Sequence, residues 1–149
     1  VQLTNIYIWN IKNEKSININ CDEAFQLVIE TLTWRSTLAT INIALRGADG
    51  TQIVHSIGAN YLESYTKFEQ DKQHRFIVKF PGGILSDATY HFIAWIVPSG
   101  DVGSFHYSES PRFTLYDLNE AEKISTGIKA HPSIIRPKLE WAYQDISKQ

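Results

Sequence analysis

Aromatic and basic side chains stand at outward positions of several predicted strands in this sequence. In residues 90–97 every second residue suits a core, which leaves His91 and Trp95 on the opposite side. His55 and Arg112 occupy the same kind of position in their own strands. Aromatic rings pack on the C–H faces of sugars, and imidazole and guanidinium groups hydrogen-bond to hydroxyls. This set of side chains therefore predicts a carbohydrate-binding surface.

A loop predicted at residues 101–110 adds further aromatic side chains. It contains Phe105, His106 and Tyr107 among glycine and serine residues, which favour irregular structure. Exposed aromatic residues in loops often serve recognition, because loops lie on the surface and carry binding residues. His106 and Tyr107 therefore join Trp95, His91, His55 and Arg112 as candidate carbohydrate-binding residues.

Each candidate also has a purely structural explanation. Both faces of residues 90–97 are apolar, so Trp95 could belong to a central strand that a loop or a second subunit covers. His91 and His55 could be ordinary histidines, either solvated or hydrogen-bonded within the domain. We expect the remaining tryptophans to be packing residues: Trp9, Trp34 and Trp141.

Motifs for catalysis and for metal binding are missing from the sequence. It has neither the GxxxxGK(S/T) phosphate-binding loop nor the GxSxG nucleophile turn. The five histidines are widely spaced and Cys21 is alone, so no zinc-binding spacing and no intrachain disulfide is present. Glu30 is the only carboxylate near the middle of a well-predicted strand, whereas a glycosidase uses two. We predict a non-enzymatic domain without metal or cofactor, with hydrolysis through Glu30 as an alternative.

Composition limits the classes of partner. The 149 residues, with 43% hydrophobic and 12% aromatic content, suffice for one hydrophobic core. A formal net charge of −2 provides no basic field for phosphates, so nucleic acid is not expected as the principal partner. The longest apolar runs are far shorter than the roughly 20 residues that span a bilayer. Because the sequence contains no methionine, we expect Val1 to lie inside a longer polypeptide.

The predicted elements are short strands separated by turn residues. Alternation of apolar and polar side chains, or a high content of β-branched and aromatic residues, predicts strands at residues 1–11, 24–33, 40–46, 51–57, 73–80, 90–97 and 112–116. Glycine and aspartate at residues 47–50 predict a hairpin turn between two of them. Residues 58–72 fit either a long loop or a short helix. The pattern predicts an all-β fold, an antiparallel immunoglobulin-like β-sandwich.

Three segments resemble one known family. Residues 41–54 resemble its hairpin with an Asp-Gly turn, and residues 76–81 with 85–90 resemble its strand, leucine, small turn and strand-opening tyrosine. Residues 112–117 resemble its closing strand, which is followed by a polar stretch and a late strand ending in Trp141. The family is the C-terminal domain of the ATP-binding subunits of ABC transporters that export O-antigen and related polysaccharides (the Wzt type). The resemblance covers residues 24–141.

This resemblance implies a domain fused behind a cytoplasmic ATPase domain and held at the inner membrane by the transporter's membrane subunits. It implies recognition of a lipid-linked cell-surface polysaccharide before export, often through the end of the glycan chain. It also implies a homodimer, in which a late strand at residues 134–143 is a candidate for exchange between subunits. The candidate binding residues come from the strand-face argument, since the family supplies no short ligand motif.

One further class of function remains open. A β-sandwich with an apolar outer face could act as a structural module that binds another protein or forms a dimer without binding sugar. Sedimentation combined with a glycan array would separate this alternative from carbohydrate binding.

Overall fold

A computed structural model describes residues 1–62, 64–100, 106–116 and 140–147. Eleven strands lie in these ranges: β1 (Gln2–Trp9), β2 (Asn18–Asn20), β3 (Phe25–Leu32), β4 (Thr37–Gly47), β5 (Gln52–Ile57), β6 (Thr66–Phe68), β7 (Gln73–Phe80), β8 (Ala88–Pro98), β9 (His106–Glu109), β10 (Phe113–Tyr116) and β11 (Glu140–Asp145). Within the same ranges, the one helical element is a single 3₁₀ turn at Gly58–Asn60.

The strands form two sheets that enclose one core. The first sheet has the order β1-β3-β7-β11, and the second has the order β2-β10-β8-β4-β5, with β6 added to β4 and β9 to β8. Neighbouring strands are antiparallel except for the short parallel pair β2–β10. The structure confirms the predicted all-β antiparallel sandwich.

Aromatic rings from both sheets meet in the core. Phe25 stacks on Phe80 in the first sheet, and Phe92 stacks on Phe113 in the second, with ring centroids 5.0 and 5.6 Å apart. Phe80 and Phe92 join the two pairs across the sandwich at 5.1 Å. All four side chains are buried, as the predicted alternation requires. Offset and tilted ring packing of this kind adds stability beyond the burial of area.

The β4–β5 hairpin closes with the predicted turn. Gly50 has φ +83°, a conformation that glycine adopts without steric cost, and the Gly47 amide donates to the Thr51 carbonyl. The Asp49 carboxylate accepts hydrogen bonds from the Thr51 amide and hydroxyl, which hold the pKa of Asp49 below its usual value. This turn fixes the register of β5 against β4, and with it the position of His55.

Residues 106–109, predicted as part of a loop, form strand β9. Ser110 makes this possible: its amide donates to the Phe92 carbonyl, and its hydroxyl oxygen accepts from the Phe92 amide. The serine hydroxyl thus takes the place of a strand carbonyl as the acceptor for the Phe92 amide. Beyond it the chain continues as β10, which begins at Phe113 rather than at the predicted Arg112. Pairing with β8 overrides the loop-like composition.

Three other segments differ in detail from the sequence-based expectation. Residues 58–72 contain the 3₁₀ turn and the short strand β6, and residues 18–20 form β2, which was not predicted. Of the late strand predicted at residues 134–143, the described part is β11, which pairs with β7 along six residues. The predicted residues 134–139 lie outside the described ranges. No helix in those ranges is long or apolar enough to cross a bilayer.

Candidate functional site

Strand β8 places its alternate side chains on an exposed surface of the second sheet. Phe92, Ala94 and Ile96 point into the core, so His91 and Trp95 point away from it. We call the side turned away from the core the outer face of the second sheet. Trp95 is half-buried there, so the described residues do not cover its indole completely.

His55 and Trp95 stack on each other across an intervening strand. Their ring centroids are 5.5 Å apart and their planes are inclined by 15°. His55 lies directly opposite Ala44 of β4, and Ala44 lies opposite Ile93, two residues from Trp95 on β8. The Ala44 side chain is only a methyl group, so the two rings can approach each other over β4. Ala44 is 1% exposed although it faces outward, as expected of a residue beneath them.

Tyr107 extends this aromatic surface toward β9. It pairs with Trp95 in register and is 69% exposed, the highest value among the large exposed hydrophobic residues of the described ranges. His55, Trp95 and Tyr107 together form what we call the aromatic half of the outer face. Such rings offer flat surfaces to the C–H faces of a sugar or to apolar groups of a partner.

A row of basic side chains crosses the same face further along β8. Arg46 of β4 lies directly opposite His91. Arg112 immediately precedes Phe113, which pairs with Tyr90, the neighbour of His91 in the chain. Phe113 is buried, whereas Arg112 is exposed. We call these three residues the Arg46–His91–Arg112 row.

Several polar atoms on this face are enclosed without a hydrogen-bond partner among the described residues. They are the Asn42 side-chain oxygen, Arg46 Nε and His91 Nδ1. Asn42 is 9% exposed and lies directly opposite Trp95. Buried polar groups are normally hydrogen-bonded, and leaving one unsatisfied costs about 1–3 kcal/mol. A ligand with hydroxyl or carboxylate groups would supply the missing partners after small side-chain rotations.

Strand pairing brings four of the six candidate residues onto one face, His55, His91, Trp95 and Tyr107, and Arg112 is exposed one residue before β10. For His106, the described backbone pairs with Ile96, whereas its side chain and Phe105 lie outside the described part of the chain. The sequence-based search missed Arg46 and Asn42. The two-residue alternation of β4 already placed both outward, and that was the available signal.

The three tryptophans expected to be packing residues differ from one another. Trp9 is half-buried and contacts Tyr7 and Arg75, and Trp141 is half-buried against the core. Trp34 lies in the turn between β3 and β4 and is 57% exposed, so it is not a packing residue in this structure.

Glu30, the candidate for hydrolysis, lies on the outer side of the first sheet in a closed network. Arg75 donates to its carboxylate at 2.9 and 3.1 Å, Asn5 at 2.8 Å and Tyr7 at 3.0 Å. Partial burial raises the pKa of Glu30, but these hydrogen bonds outweigh it and the pKa lies below its usual value. A general acid needs a raised pKa, so this carboxylate is suited to holding strands together.

The described ranges contain no cluster of side chains that could bind a metal ion. No three His, Cys, Asp or Glu side chains there come close enough together to hold an ion.

The sandwich is similar to a solved structure, the crystal structure of the C-terminal domain of Wzt. The two share 10% sequence identity with a TM-score of 0.57, over 76% of this chain and 68% of that chain. At this identity the likeness shows a common fold. No family model and no curated protein sequence matches the chain.

Proposed function

We propose that this chain is a non-catalytic carbohydrate-binding domain of an ABC exporter of cell-surface polysaccharide. Two independent observations support the proposal. The fold is similar to that of the C-terminal domain of Wzt, and the sequence resembles the same family in its hairpin, its central strands and its closing strand. The outer face of the second sheet also carries exposed aromatic rings beside polar side chains.

The main reason to place the carbohydrate-binding site on this face is the stacked pair of His55 and Trp95, which Tyr107 extends. A sugar ring packs its C–H groups on the aromatic half while its hydroxyls bond to Asn42 and neighbouring polar groups. Each hydroxyl gives up water to form its new bond, so the net gain per bond is about 1 kcal/mol. Binding to a single domain is therefore expected to be weak, in the micromolar to millimolar range, roughly −8 to −4 kcal/mol.

The proposal extends to the assembly of the whole exporter. The domain spans the chain described and follows an ATPase domain in a longer polypeptide, peripheral to the inner membrane on its cytoplasmic side. It pairs with a second copy, and β11 is the segment we propose to be exchanged. β11 pairs only with β7 among the described strands and is separated from β10 by residues 117–139. Two linked domains bind one polysaccharide more tightly than either alone, because the second contact is intramolecular.

Substitution of Trp95 tests the binding surface. A glycan array identifies a ligand, and calorimetry then compares the wild-type domain with Trp95→Ala. We expect binding to weaken at least about tenfold, since the ring platform is removed. Trp34→Ala is the matched control because Trp34 is an exposed tryptophan in the β3–β4 turn. Equal affinity in the wild type and Trp95→Ala, with both folded by circular dichroism, would contradict the proposed site.

A protein-binding module is the second candidate function. The exposure of Tyr107 and the half-buried indole of Trp95 favour it to some extent, because aromatic residues are enriched at protein interfaces. A domain that sediments as a dimer and gives no signal on the glycan array would support this candidate over carbohydrate binding.

A further inference from the structure

We propose that the ligand of the outer face is an acidic glycan, whose carboxylate or phosphate group is held by the Arg46–His91–Arg112 row. The inference rests on the proposed function, since it names the chemical class of the saccharide. It concerns a part of the face separate from the aromatic half.

The sheet register brings the three basic side chains together. Arg46 and His91 lie opposite each other on β4 and β8, and Arg112 is exposed on the other side of β8, one residue before Phe113, the partner of Tyr90. Neighbouring strands are about 4.8 Å apart, so the row spans roughly 10 Å between its outer backbones. Long arginine side chains from both ends can therefore converge on one group above His91. Arginine binds carboxylates and phosphates through two parallel hydrogen bonds, which makes such a group the natural ligand.

The ion pairs known among the described residues lie away from this row. They are Lys72–Asp145, Arg75–Glu30 and Lys79–Glu140, all on or beside the first sheet. The two acidic residues closest to the row in sequence are engaged elsewhere or unpaired: Asp49 bonds to Thr51, and Glu109 lies opposite Ile93 without an ion pair to the row.

Two members of the row also hold enclosed nitrogen atoms without hydrogen-bond partners among the described residues. These atoms are Arg46 Nε and His91 Nδ1, both shielded from solvent. An anion above the row brings acceptors that a small rotation of either side chain can reach. Binding of the anion then removes the free-energy cost of the unsatisfied nitrogen atoms. A neutral ligand forms weaker hydrogen bonds with them, so its binding free energy is less favourable.

The distance between the row and the aromatic half sets the size of the ligand. His91 and Trp95 are four residues apart on β8, which corresponds to about 13 Å along the strand. A ligand that reaches both is longer than a single sugar ring. One ring packs on Trp95, and the acidic group belongs to another part of the same chain.

The test compares acidic and neutral forms of the same sugars by NMR titration of the domain. One arm uses galacturonic acid oligomers against their methyl esters, and the other uses mannose oligomers that carry a 6-phosphate against the same oligomers without it. We expect the acidic forms to shift the amide signals of residues 46, 91 and 112, and to bind at least about tenfold more tightly. A response to only one arm identifies the anion as a carboxylate or a phosphate.

Two variants distinguish this inference from the proposed function. Arg112→Gln changes an exposed residue and is not expected to affect folding, and Arg46→Gln removes the second arginine. Each of these two variants should bind the acidic and the neutral forms equally well. Adding Trp95→Ala to either variant should still weaken binding of the neutral forms. Arg35→Gln, an exposed arginine in the β3–β4 turn, is the matched control. Equal binding of acidic and neutral forms, or no shift at the row with either anion, overturns the inference and leaves the aromatic site standing on its own test.

Discussion

The imidazole of His55 stacks on the indole of Trp95 even though strand β4 lies between the strands that carry them. The contact depends on Ala44, which lies directly opposite His55 and is covered on the outer face. A ring pair held in this way is a preorganised surface, because neither ring has to be ordered when a ligand arrives.

The first prediction concerns Ala44→Leu. The larger side chain would separate His55 from Trp95, so we expect glycan affinity to fall about tenfold, while overpacking costs about 1–3 kcal/mol of stability. Calorimetry and urea unfolding measure the two effects. Ala142→Leu is the control, since Ala142 is an exposed alanine on the outer side of the first sheet. Undiminished affinity in folded Ala44→Leu would show that the ring contact does not contribute to binding.

The second prediction concerns pH and His74. This residue is 2% exposed and lies between the rings of Phe68 and Tyr143. Burial lowers the pKa of His74, and the positive charge of Lys72 lowers it further. The negative charges of Asp145 and Glu69 raise the pKa but do not outweigh burial. The unfolded chain therefore binds a proton more readily than the folded one. Stability from this residue is complete above about pH 6.5 and declines as the pH falls toward the lowered pKa.

Urea unfolding between about pH 7.5 and 5.5 measures this decline. His74→Gln removes the titrating group, so its stability should vary less over that range. His55→Gln serves as the control, because His55 is exposed. If the wild type and His74→Gln gave parallel profiles, the buried imidazole would not be the source of the pH dependence.

The third prediction concerns Glu30 and Arg75. Removing Arg75 leaves the partly buried Glu30 carboxylate with only Asn5 and Tyr7, so Arg75→Ala should cost about 1–3 kcal/mol. Glu30→Gln should reduce stability without changing glycan binding, because the network lies on the other sheet. Thermal unfolding and calorimetry check both statements. Loss of a sugar-cleaving activity in Glu30→Gln would instead favour the hydrolase alternative.

The fourth prediction concerns Gly82 in the turn after β7. A Cβ atom at this position would lie 2.1 Å from the Asp22 carbonyl oxygen, a clash with backbone that no side-chain rotation relieves. We expect Gly82→Ala to cost more than about 2 kcal/mol, whereas Gly50→Ala meets no atom within 4 Å and costs about 1 kcal/mol through its positive φ. Thermal unfolding compares them. Equal losses would mean that the close approach to Asp22 relaxes without cost.

Alternation along single strands predicted much of the fold and part of the candidate site. It correctly placed Phe92 and Phe113 inward and His91 and Trp95 outward, because the period of a strand fixes the side of each residue. It could not predict that His55 meets Trp95, since that contact depends on the strand order β5-β4-β8 and on a small residue at position 44.

The same limit explains the missed residues. Arg46 joins the proposed row only because the register sets it opposite His91, and the register between distant strands cannot be derived from either strand alone. Strand β9 was missed for a related reason: its composition is that of a loop, and only pairing with β8 makes it extended.

The irregularity at Ser110–Arg112 determines which way Tyr107 faces. Phe113 pairs with Tyr90, and an unbroken ladder would then set Tyr107 opposite Ile96, a core position. The observed partner of Tyr107 is Trp95, one position earlier, because this segment has one more residue than the part of β8 that it faces. The additional residue reverses the side of the sheet to which each β9 side chain points. Deleting one residue there would bury Tyr107 and expose Ser108 instead. A change of one residue in length, without any change of side-chain type, can thus remove an exposed aromatic ring from the outer face.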